Sequence, residues 1–258
     1  MSQHRFNLAS AKRVVIKVGS SSISGDNAGQ LGSLVASLAA AHQRGTEVIL
    51  VSSGAIATGM PLLGLTQKPE DLPTSQALAA VGQSRLIARY QQVLEQFGII
   101  AGQVLLTADD LDGVETSTNA KHAMERLLEL RVLPIVNEND TVATAEIRFG
   151  DNDRLAAQVA VLLEVDALVL LSDVDALYTS PPSMAGAQKI SKVAFDDNLE
   201  SVEIGGTSTG VGTGGAMTKV SAAKLANAAG VPVLLTSTQN VSKALSAEDV
   251  GTWFEAKK

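Results

Sequence analysis

The sequence predicts an α/β protein built on an open, mostly parallel β-sheet that is sandwiched between helices, a three-layer αβα arrangement. The first observation is that short, β-branched apolar runs alternate with longer helical patterns along the chain. Such alternation is typical of βαβ units, whose strands run parallel. The second observation is size, because 258 residues, 45% of them hydrophobic, can bury a large core. No Pro/Ser-rich linker or block of charge divides the sequence, so we expect a single domain over residues 1–258.

The first half of the chain gives the clearest strand–helix alternation. The strand Arg13 to Val18 is β-branched on both faces, as expected for a buried parallel strand. The helix Asn27 to Arg44 carries one apolar face and is ended by Gly45. Thr46 to Val51 is the second strand, and its Ser-Gly turn leads into a short helix. The remaining predicted elements here are the helix Ala77 to Phe97, the strand Ile99 to Leu106, the helix Ser117 to Leu130 and the strand Val132 to Val136.

The second half continues the same alternation. The run Val142 to Phe149 is strand-like and alternating, and it leads into the glycine turn at Gly150. The most apolar short run, Ala167 to Leu171, is predicted as a central strand. The other predicted elements are the helix Leu155 to Leu163, the surface loop Tyr178 to Gly186, the helix Ala216 to Ala228 and the strand Val231 to Thr236.

Composition excludes several classes of function. The net charge is -7 and the basic residues are scattered, so we expect neither a nucleic acid nor an anionic membrane as partner. The chain has no cysteine, which excludes disulfides, thiolate catalysis and zinc–thiolate sites. His4, His42 and His122 lack ligand spacing, and each is predicted to lie at the surface.

The sequence contains no targeting or membrane-spanning pattern. No apolar run reaches the length that crosses a bilayer, and the N-terminus lacks the apolar core of a signal peptide. We therefore expect a cytoplasmic location.

Lys17 is unusual because it lies inside an apolar strand, where an unpaired ammonium group is costly to bury. One interpretation is an edge-strand lysine that extends its ammonium group to solvent. The other places Lys17 at the end of the strand, pointing over the following glycine turn at a phosphate.

Polar residues follow two other strands, at the edge where open parallel sheets bind their ligands. Ser52-Ser53-Gly54-Ala55 leads from a strand into a helix and presents N–H groups and a hydroxyl, although an ordinary βα turn has the same pattern. Asn137-Glu138-Asn139-Asp140 is predicted as a polar loop after its strand. Such a loop is either a common connection or part of a site.

The stretch Gly150-Asp151-Asn152-Asp153 places two carboxylates and an amide where a strand-like run meets a helix. Asp151 or Asn152 could cap that helix, because a short side-chain oxygen accepts from its free N–H groups. Three consecutive polar groups exceed what one cap needs. A helix start and a ligand site both remain open interpretations here.

The segment between Gly205 and Gly215 is almost wholly Gly, Ser and Thr, and it leads to Lys219 in the first turn of a predicted helix. Residues 210–215 match the dinucleotide pattern G-x-G-x-x-G, but no apolar strand leads into them and the next strand has no acidic residue for a ribose. A nicotinamide-dependent oxidoreductase is therefore an alternative of another class. The P-loop and protein-kinase signatures are absent from the sequence. Lys17 and Lys219 on two glycine turns suit phosphoryl transfer, in which charge spreads over the moving group.

In combination, these motifs resemble those of the glutamate 5-kinases of the amino-acid kinase family. The resemblance runs from Val14 to about Phe254 and is carried by Val15 to Ser21, Val51 to Ala57, Ala79 to Ile87, Val136 to Val142, Gly150 to Asp153, and Gly212 to Lys219. It implies the amino-acid kinase fold, without the C-terminal PUA domain that many members carry.

The resemblance also implies roles for individual side chains. Lys17 would contact the ATP phosphates and the transition state, Lys219 would add a second positive charge, and Asp153 would orient both lysines. The residues implied for the glutamate site are Ser53, Asp140, Asn152 and Asp151. Those implied for the nucleotide site are Lys17, Ser172, Asp173, Thr213, Gly214, Gly215, Ala216, Met217, Thr218 and Lys219. Ala216 stands where the family often has methionine.

The implied activity is ATP-dependent phosphorylation of the γ-carboxylate of L-glutamate to L-glutamyl 5-phosphate, the first step of proline biosynthesis. Mg²⁺ would be carried with ATP, with no metal ligand assigned among the protein side chains. The implied partners are L-proline as feedback inhibitor, further copies of the chain in a dimer or tetramer, and a glutamyl phosphate reductase.

Two alternatives share the predicted phosphate apparatus. One is another amino-acid kinase that acts on N-acetylglutamate, aspartate or carbamate. The other is a nucleotide-binding sensor or storage protein, which could dispense with a lysine. The presence of both Lys17 and Lys219 argues against a non-catalytic protein.

Overall fold

The computed structural model describes residues 6–23, 27, 29–142, 152–199, 202 and 215–257. Its β-strands are β1 Arg13–Lys17, β2 Glu47–Val51, β3 Ala101–Leu106, β4 Leu133–Glu138, β5 Ala167–Ser172, β6 Leu177–Tyr178, β7 Lys189–Ile190, β8 Lys192–Val193, β9 Val233–Ser237 and β10 Thr252–Phe254. Its α-helices are α1 Gln30–Gln43, α2 Ala55–Leu62, α3 Leu72–Leu94, α4 Ala108–Asp112, α5 Val114–Glu129, α6 Asn152–Leu162, α7 Ala216–Ala228 and α8 Val241–Leu245.

The main sheet has eight strands in the order β3-β4-β2-β1-β5-β9-β10-β8. In this order, the six neighbouring strands that begin with β3 and end with β9 run parallel to one another. The strand β10 pairs antiparallel with β9, and β8 pairs parallel with β10. The strands β6 and β7 form a separate two-stranded hairpin. This topology confirms the predicted mostly parallel sheet.

Helices cover both faces of the sheet. Val14 and Ile16 of β1 point into a core shared with α1, α3 and α8, whereas Val15 points into a second core shared with α5, α6 and α7. Alternate residues of a strand face opposite sides, so β-branched residues at successive positions fill both cores. The predicted three-layer αβα arrangement is confirmed. Within the described ranges, no helix is both long and apolar enough to cross a membrane.

Most predicted elements are present with small shifts at their ends. The helix α7 begins at Ala216 and ends at Ala228, as predicted. The sequence did not predict α4, α8 and β10, which are five, five and three residues long, nor the two-residue strands β6, β7 and β8, because all are too short to show a period. The predicted surface loop from Tyr178 to Gly186 is wrong at Tyr178, which ends β6. The predicted strand-like run from Val142 to Phe149 lies outside the described residues, except for Val142.

The prediction of a polar loop from Asn137 is wrong for its first two residues. β4 continues through Asn137 and Glu138, which are 1% and 5% exposed. The amide of Asn137 donates to the side-chain oxygen of Gln83 on α3, with a distance of 2.7 Å. A buried amide that finds such a partner can remain in a strand, because its hydrogen-bonding groups are not left unsatisfied.

The prediction that all three histidines lie at the surface is wrong for His42. Its side chain is buried at the end of α1, and its Nε2 lies 3.1 Å from the carbonyl oxygen of Arg131. Burial and the nearby Arg131 charge lower the pKa of His42. His122 is exposed, as predicted, and His4 lies outside the described residues.

The helices α2 and α3 cross so closely that two glycines are required at the contact. A Cβ added at Gly82 would lie 1.8 Å from the carbonyl oxygen of Ala55, and one added at Gly59 would lie 2.1 Å from that of Leu78. We expect Gly82→Ala to lower the free energy of unfolding by about 1–3 kcal/mol, because backbone must move to admit the methyl group. Urea denaturation measures this change.

Gly32 on α1 provides the matched control, because nothing lies within 4 Å of a Cβ added there. Gly32→Ala should raise the free energy of unfolding by roughly 0.5–1 kcal/mol, since at a helical position alanine loses less conformational freedom on folding than glycine does. Equal effects of the two substitutions would contradict the close crossing.

Candidate active site

The predicted site residues that the structure describes lie at the edge of the sheet where the parallel strands end. Lys17 pairs in register with Val51 of β2 and with Leu170 of β5, and Val51 in turn pairs with Val136 of β4. The segments that follow these strands therefore leave from one edge. Because β1 lies between strands whose connections diverge, this edge has the crevice in which open α/β sheets bind ligands.

The turns after β1 and β2 are in direct contact. Gly54 has a φ of 102°, a conformation that favours glycine, and a Cβ there would lie 3.1 Å from Cβ of Ser20. Ser53 precedes this glycine and is half-buried. Ser52 is fully buried, and its hydroxyl lies 3.0 Å from the hydroxyl of Tyr90 on α3. This bond fixes the turn that carries Ser53.

The centre of the crevice is a buried carboxylate between two ammonium groups. Nζ of Lys17 lies 2.7 Å from Oδ1 of Asp153, and Nζ of Lys219 lies 3.1 Å from its Oδ2. The side chain of Asp153 is 0% exposed, and those of the two lysines are 6% and 8% exposed. Lys17 of β1 and Lys219 of α7 thus meet at one carboxylate on α6. The strand β1 lies at the centre of the sheet, so Lys17 is not an edge-strand lysine.

The lysines keep Asp153 ionised. Burial by itself would raise the pKa of this carboxyl, but the charges of Lys17 and Lys219 and the hydroxyl of Thr218 lower the pKa to about 2. Two positive charges therefore face one negative charge in a site with little water. Such a site is suited to a ligand that carries several negative charges.

Two helices begin at this point. Asp153 lies in the first turn of α6, and Thr218 and Lys219 lie in the first turn of α7, which packs beside α6. The hydroxyl of Thr218 donates to Oδ2 of Asp153 at 2.8 Å. A carboxylate at a helix N-terminus is favoured by the helix dipole, and the first N–H groups of a helix have no acceptor within the helix itself.

Two of the residues expected to bind glutamate, Asp140 and Asn152, are in the part of the chain that the structure describes. Asp140 follows β4, is half-buried, and has its pKa raised by burial to about 6, with the charge of Lys68 partly opposing the rise. Asn152 begins α6, and its buried side-chain oxygen has no hydrogen-bond partner among the residues that the structure describes. A buried acceptor without a partner is costly, so a ligand donor at this position would be favourable. Asp151 lies outside the described residues.

The residues expected to bind the nucleotide are placed in part. Oδ1 of Asp173 accepts from the hydroxyls of Ser21 and Ser22 at 3.2 and 3.1 Å, which ties the end of β5 to the turn after β1. Ser172 is half-buried at the end of β5, Gly215 precedes α7, and Met217 is 59% exposed. Ala216 is half-buried at the start of α7. Thr213 and Gly214 lie outside the described residues.

Sequence reasoning missed four contributors to this region: Lys68, Gln83, Tyr90 and the bond from Thr218 to Asp153. Tyr90 is one of two tyrosines in the chain and lies on the apolar face of a helix, which is a weak signal for a buried hydroxyl with a partner. Lys68 lies in the loop between α2 and α3, and no spacing indicates that its charge would act on Asp140.

No protein-borne metal centre is evident in the described part of the chain. It contains no group of three or more His, Cys, Asp or Glu side chains that could hold a metal ion. The ammonium groups of Lys17 and Lys219 do not coordinate Mg²⁺, and both of them contact the buried carboxylate Asp153.

Comparisons with known proteins show the family of the chain. Residues 12–237 match the family model described as the amino acid kinase family. A glutamate 5-kinase from Clavibacter sepedonicus is 67% identical over 97% of this chain and 96% of its own length. A glutamate 5-kinase from Leifsonia xyli is 65% identical over 97% of this chain and 93% of its own length.

A solved structure gives the same fold. The carbamate kinase from Giardia lamblia bound to AMP-PNP aligns with a TM-score of 0.69 over 96% of this chain and 100% of that chain, at 17% identity. This likeness shows the fold alone, whereas the sequence matches show closer kinship. The chain belongs to the amino acid kinase family and, within it, to the glutamate 5-kinases.

Proposed function

We propose that this protein transfers the γ-phosphoryl group of MgATP to the γ-carboxylate of L-glutamate, forming L-glutamyl 5-phosphate in the first step of proline biosynthesis. The observation that supports this most strongly is the pair of buried lysines held on the two oxygens of Asp153. The high identity to glutamate 5-kinases supports the choice of substrate.

The reaction needs charge compensation more than it needs a base. A glutamate γ-carboxylate has an ordinary pKa of about 4.3, so it is already ionised at neutral pH. One of its oxygens attacks the γ-phosphorus while the bond from that phosphorus to the β,γ-bridging oxygen breaks, and ADP leaves. Lys17 and Lys219 offset the repulsion between the carboxylate and the triphosphate, and hold the two for in-line transfer.

The nucleotide would lie over the starts of α6 and α7. Ser172 and Asp173 at the end of β5 and residues 213–219 would surround it, with Lys17 and Lys219 at the phosphates. Mg²⁺ would enter as part of MgATP and neutralise phosphate charge. The placement is supported by the position of Gly215 before the first turn of α7, where free N–H groups are available to an anion.

The amino end of glutamate would be read by Asp140 and Asn152. An ammonium group pairs with a carboxylate, and it would also donate to the buried side-chain oxygen of Asn152. Ser53, on the adjacent turn, would donate its hydroxyl to glutamate, and Asp151 would shape the pocket. N-Acetylglutamate lacks the ammonium group, so this arrangement favours the free amino acid.

This role of Asp140 predicts a pH dependence of glutamate use. The pKa of Asp140 is raised to about 6, so the carboxyl is protonated below that pH and attracts an ammonium group only above it. Therefore kcat/KM for glutamate should fall about tenfold per pH unit below pH 6, because this parameter reports the form of the enzyme that binds glutamate. Initial rates at saturating MgATP between pH 5 and pH 8 measure the profile.

Asp140→Asn supplies the control for that profile. The variant should show a low kcat/KM for glutamate that no longer declines between pH 7 and pH 5.5, with a KM for MgATP within about twofold of the wild type. An unchanged pH profile in the variant would rule out the assignment of Asp140.

A substrate panel tests the proposed function directly. ADP release would be measured with MgATP and, separately, L-glutamate, N-acetyl-L-glutamate, L-aspartate and carbamate, with hydroxylamine present to convert an acyl phosphate into a stable hydroxamate. We expect ADP and hydroxamate in equal amounts with L-glutamate and only background with the others. A preference for N-acetylglutamate, or ADP release without hydroxamate, would overturn the proposal.

Regulation and assembly are proposed on the same basis. L-Proline carries an ammonium and a carboxylate spaced as in the amino end of glutamate, so it would compete at Asp140 and Asn152 as a feedback inhibitor. The chain would form a dimer or tetramer and pass its labile product to glutamyl phosphate reductase. We also propose that residues 1–258 form one domain, which the continuous eight-stranded sheet supports.

A further inference from the structure

The hydroxyl of Thr218 makes a bond that the roles proposed above do not use. Its Oγ1 lies 2.8 Å from Oδ2 of Asp153 and 3.0 Å from the carbonyl oxygen of Gly215. A hydroxyl has one proton and can donate to only one of these oxygens at a time. Because a hydrogen bond to an ionised acceptor is the stronger of the two, the proton belongs to the carboxylate.

Asp153 needs such a donor because it is completely buried. Water cannot reach the carboxylate, and a buried charge that loses its hydrogen-bond donors is strongly disfavoured. Without substrate, the ammonium groups of Lys17 and Lys219 satisfy it at 2.7 and 3.1 Å. A bound triphosphate would draw donors of both lysines away from the carboxylate and towards the phosphates.

Thr218 differs from the two lysines in being neutral. A phosphate attracts an ammonium group through its full charge, whereas it competes for a hydroxyl only as another acceptor. Thr218 also lies in the first turn of α7, directly before Lys219, and reaches across to the first turn of α6. Its hydrogen bond to Asp153 therefore persists while the ammonium groups of the two lysines donate partly to the Asp153 carboxylate and partly to the phosphates.

We propose that Thr218 is a positioning residue, whose hydroxyl holds the Asp153 carboxylate in place while Lys17 and Lys219 exchange donors between that carboxylate and the ATP phosphates. The inference rests on the proposed function, because it requires a triphosphate at the two lysines. It assigns to Thr218 a contact with Asp153 rather than with the nucleotide. It also predicts that the hydroxyl, and not the size of the side chain, is what matters.

The first test compares Thr218→Val with Thr218→Ser. Valine keeps the shape and removes the donor, so kcat should fall by about tenfold to a hundredfold, the range for a hydrogen bond to a charged group. The KM for glutamate should stay within about twofold, and serine should restore kcat to within about threefold of the wild type. Thr118→Val is the matched control, because Thr118 lies on α5, is exposed, and donates its hydroxyl to the carbonyl oxygen of Val114 in its own helix, at 2.6 Å.

The second test asks whether Thr218 acts through Asp153. Equilibrium denaturation without substrate would be measured for the wild type, Thr218→Val, Asp153→Asn and the double variant. The valine substitution should change the unfolding constant about tenfold in the wild-type background and about twofold or less beside Asp153→Asn. Thr218→Ala would replace valine in this cycle if the valine variant did not fold.

Each outcome decides between named alternatives. Additive effects in the cycle, or wild-type kcat in Thr218→Val, would overturn the positioning role. A wild-type protein that fails to phosphorylate glutamate would instead overturn the proposed function. Because the denaturation cycle contains no substrate, the two failures are distinguishable.

Discussion

Replacing Lys219 with methionine should lower kcat by roughly 10²- to 10³-fold, the cost of removing one preorganised group that stabilises developing charge. In this crevice, Lys17 and Lys219 are the positive groups that we expect to offset the charge on the moving phosphoryl group. The protein should remain folded, because Asp153 keeps Lys17 at 2.7 Å and Thr218 at 2.8 Å. Methionine also fills the space of the aliphatic part of the lysine side chain.

Lys224→Met is the matched control for this substitution. Lys224 lies on the same helix, α7, but is exposed, whereas Lys219 is buried. Steady-state rates with MgATP and L-glutamate, together with far-ultraviolet circular dichroism, would be measured for both variants. The control should retain wild-type kcat. Wild-type turnover in a folded Lys219→Met protein would remove Lys219 from the reaction.

The fold could be predicted because its signals are local and repeated. Successive apolar residues in β1 and β5 indicated strands buried on both faces, and the structure places them at the centre of the sheet. The start of α7 was marked by the end of a glycine-rich run, and its end by Gly230. The five-residue helices α4 and α8 have no such signal, since so few residues fit a strand as well as a helix.

The sequence predicted a residue of the candidate site only where that residue type is unusual for the element in which it lies. Lys17 stood out because a lysine interrupts an apolar strand, and the structure shows the carboxylate that compensates its charge. Asn137 was wrongly predicted to lie in a loop because its partner, Gln83, is on helix α3 and far away in sequence. The bond from Thr218 to Asp153 has the same character, since each residue is ordinary in a helix start.

The buried carboxylate itself gives the second large prediction. Asp153→Asn should lower the free energy of unfolding by about 3–5 kcal/mol, because it leaves two buried ammonium groups without their shared counter-ion. It should also lower kcat by at least about 10²-fold, since the lysines are no longer held at fixed positions. Glu129→Gln is the control, because it removes an exposed carboxylate 2.7 Å from Arg126, and such pairs contribute about 1 kcal/mol or less.

The pH dependence of that loss of stability tests whether the Asp153 carboxylate is paired as the structure shows. Its pKa is lowered from 3.8 to about 2 in the folded protein, so its ionised form stabilises the fold fully above about pH 4. That contribution is lost as the pH falls from 4 through 2, because the carboxyl is then protonated in both states. The difference in unfolding free energy between wild type and Asp153→Asn should therefore be constant from about pH 4 to 7 and shrink by roughly 2 kcal/mol at pH 2. Urea denaturation across this range measures it, and a difference that stayed constant down to pH 2 would show that the lysines do not hold this carboxylate ionised.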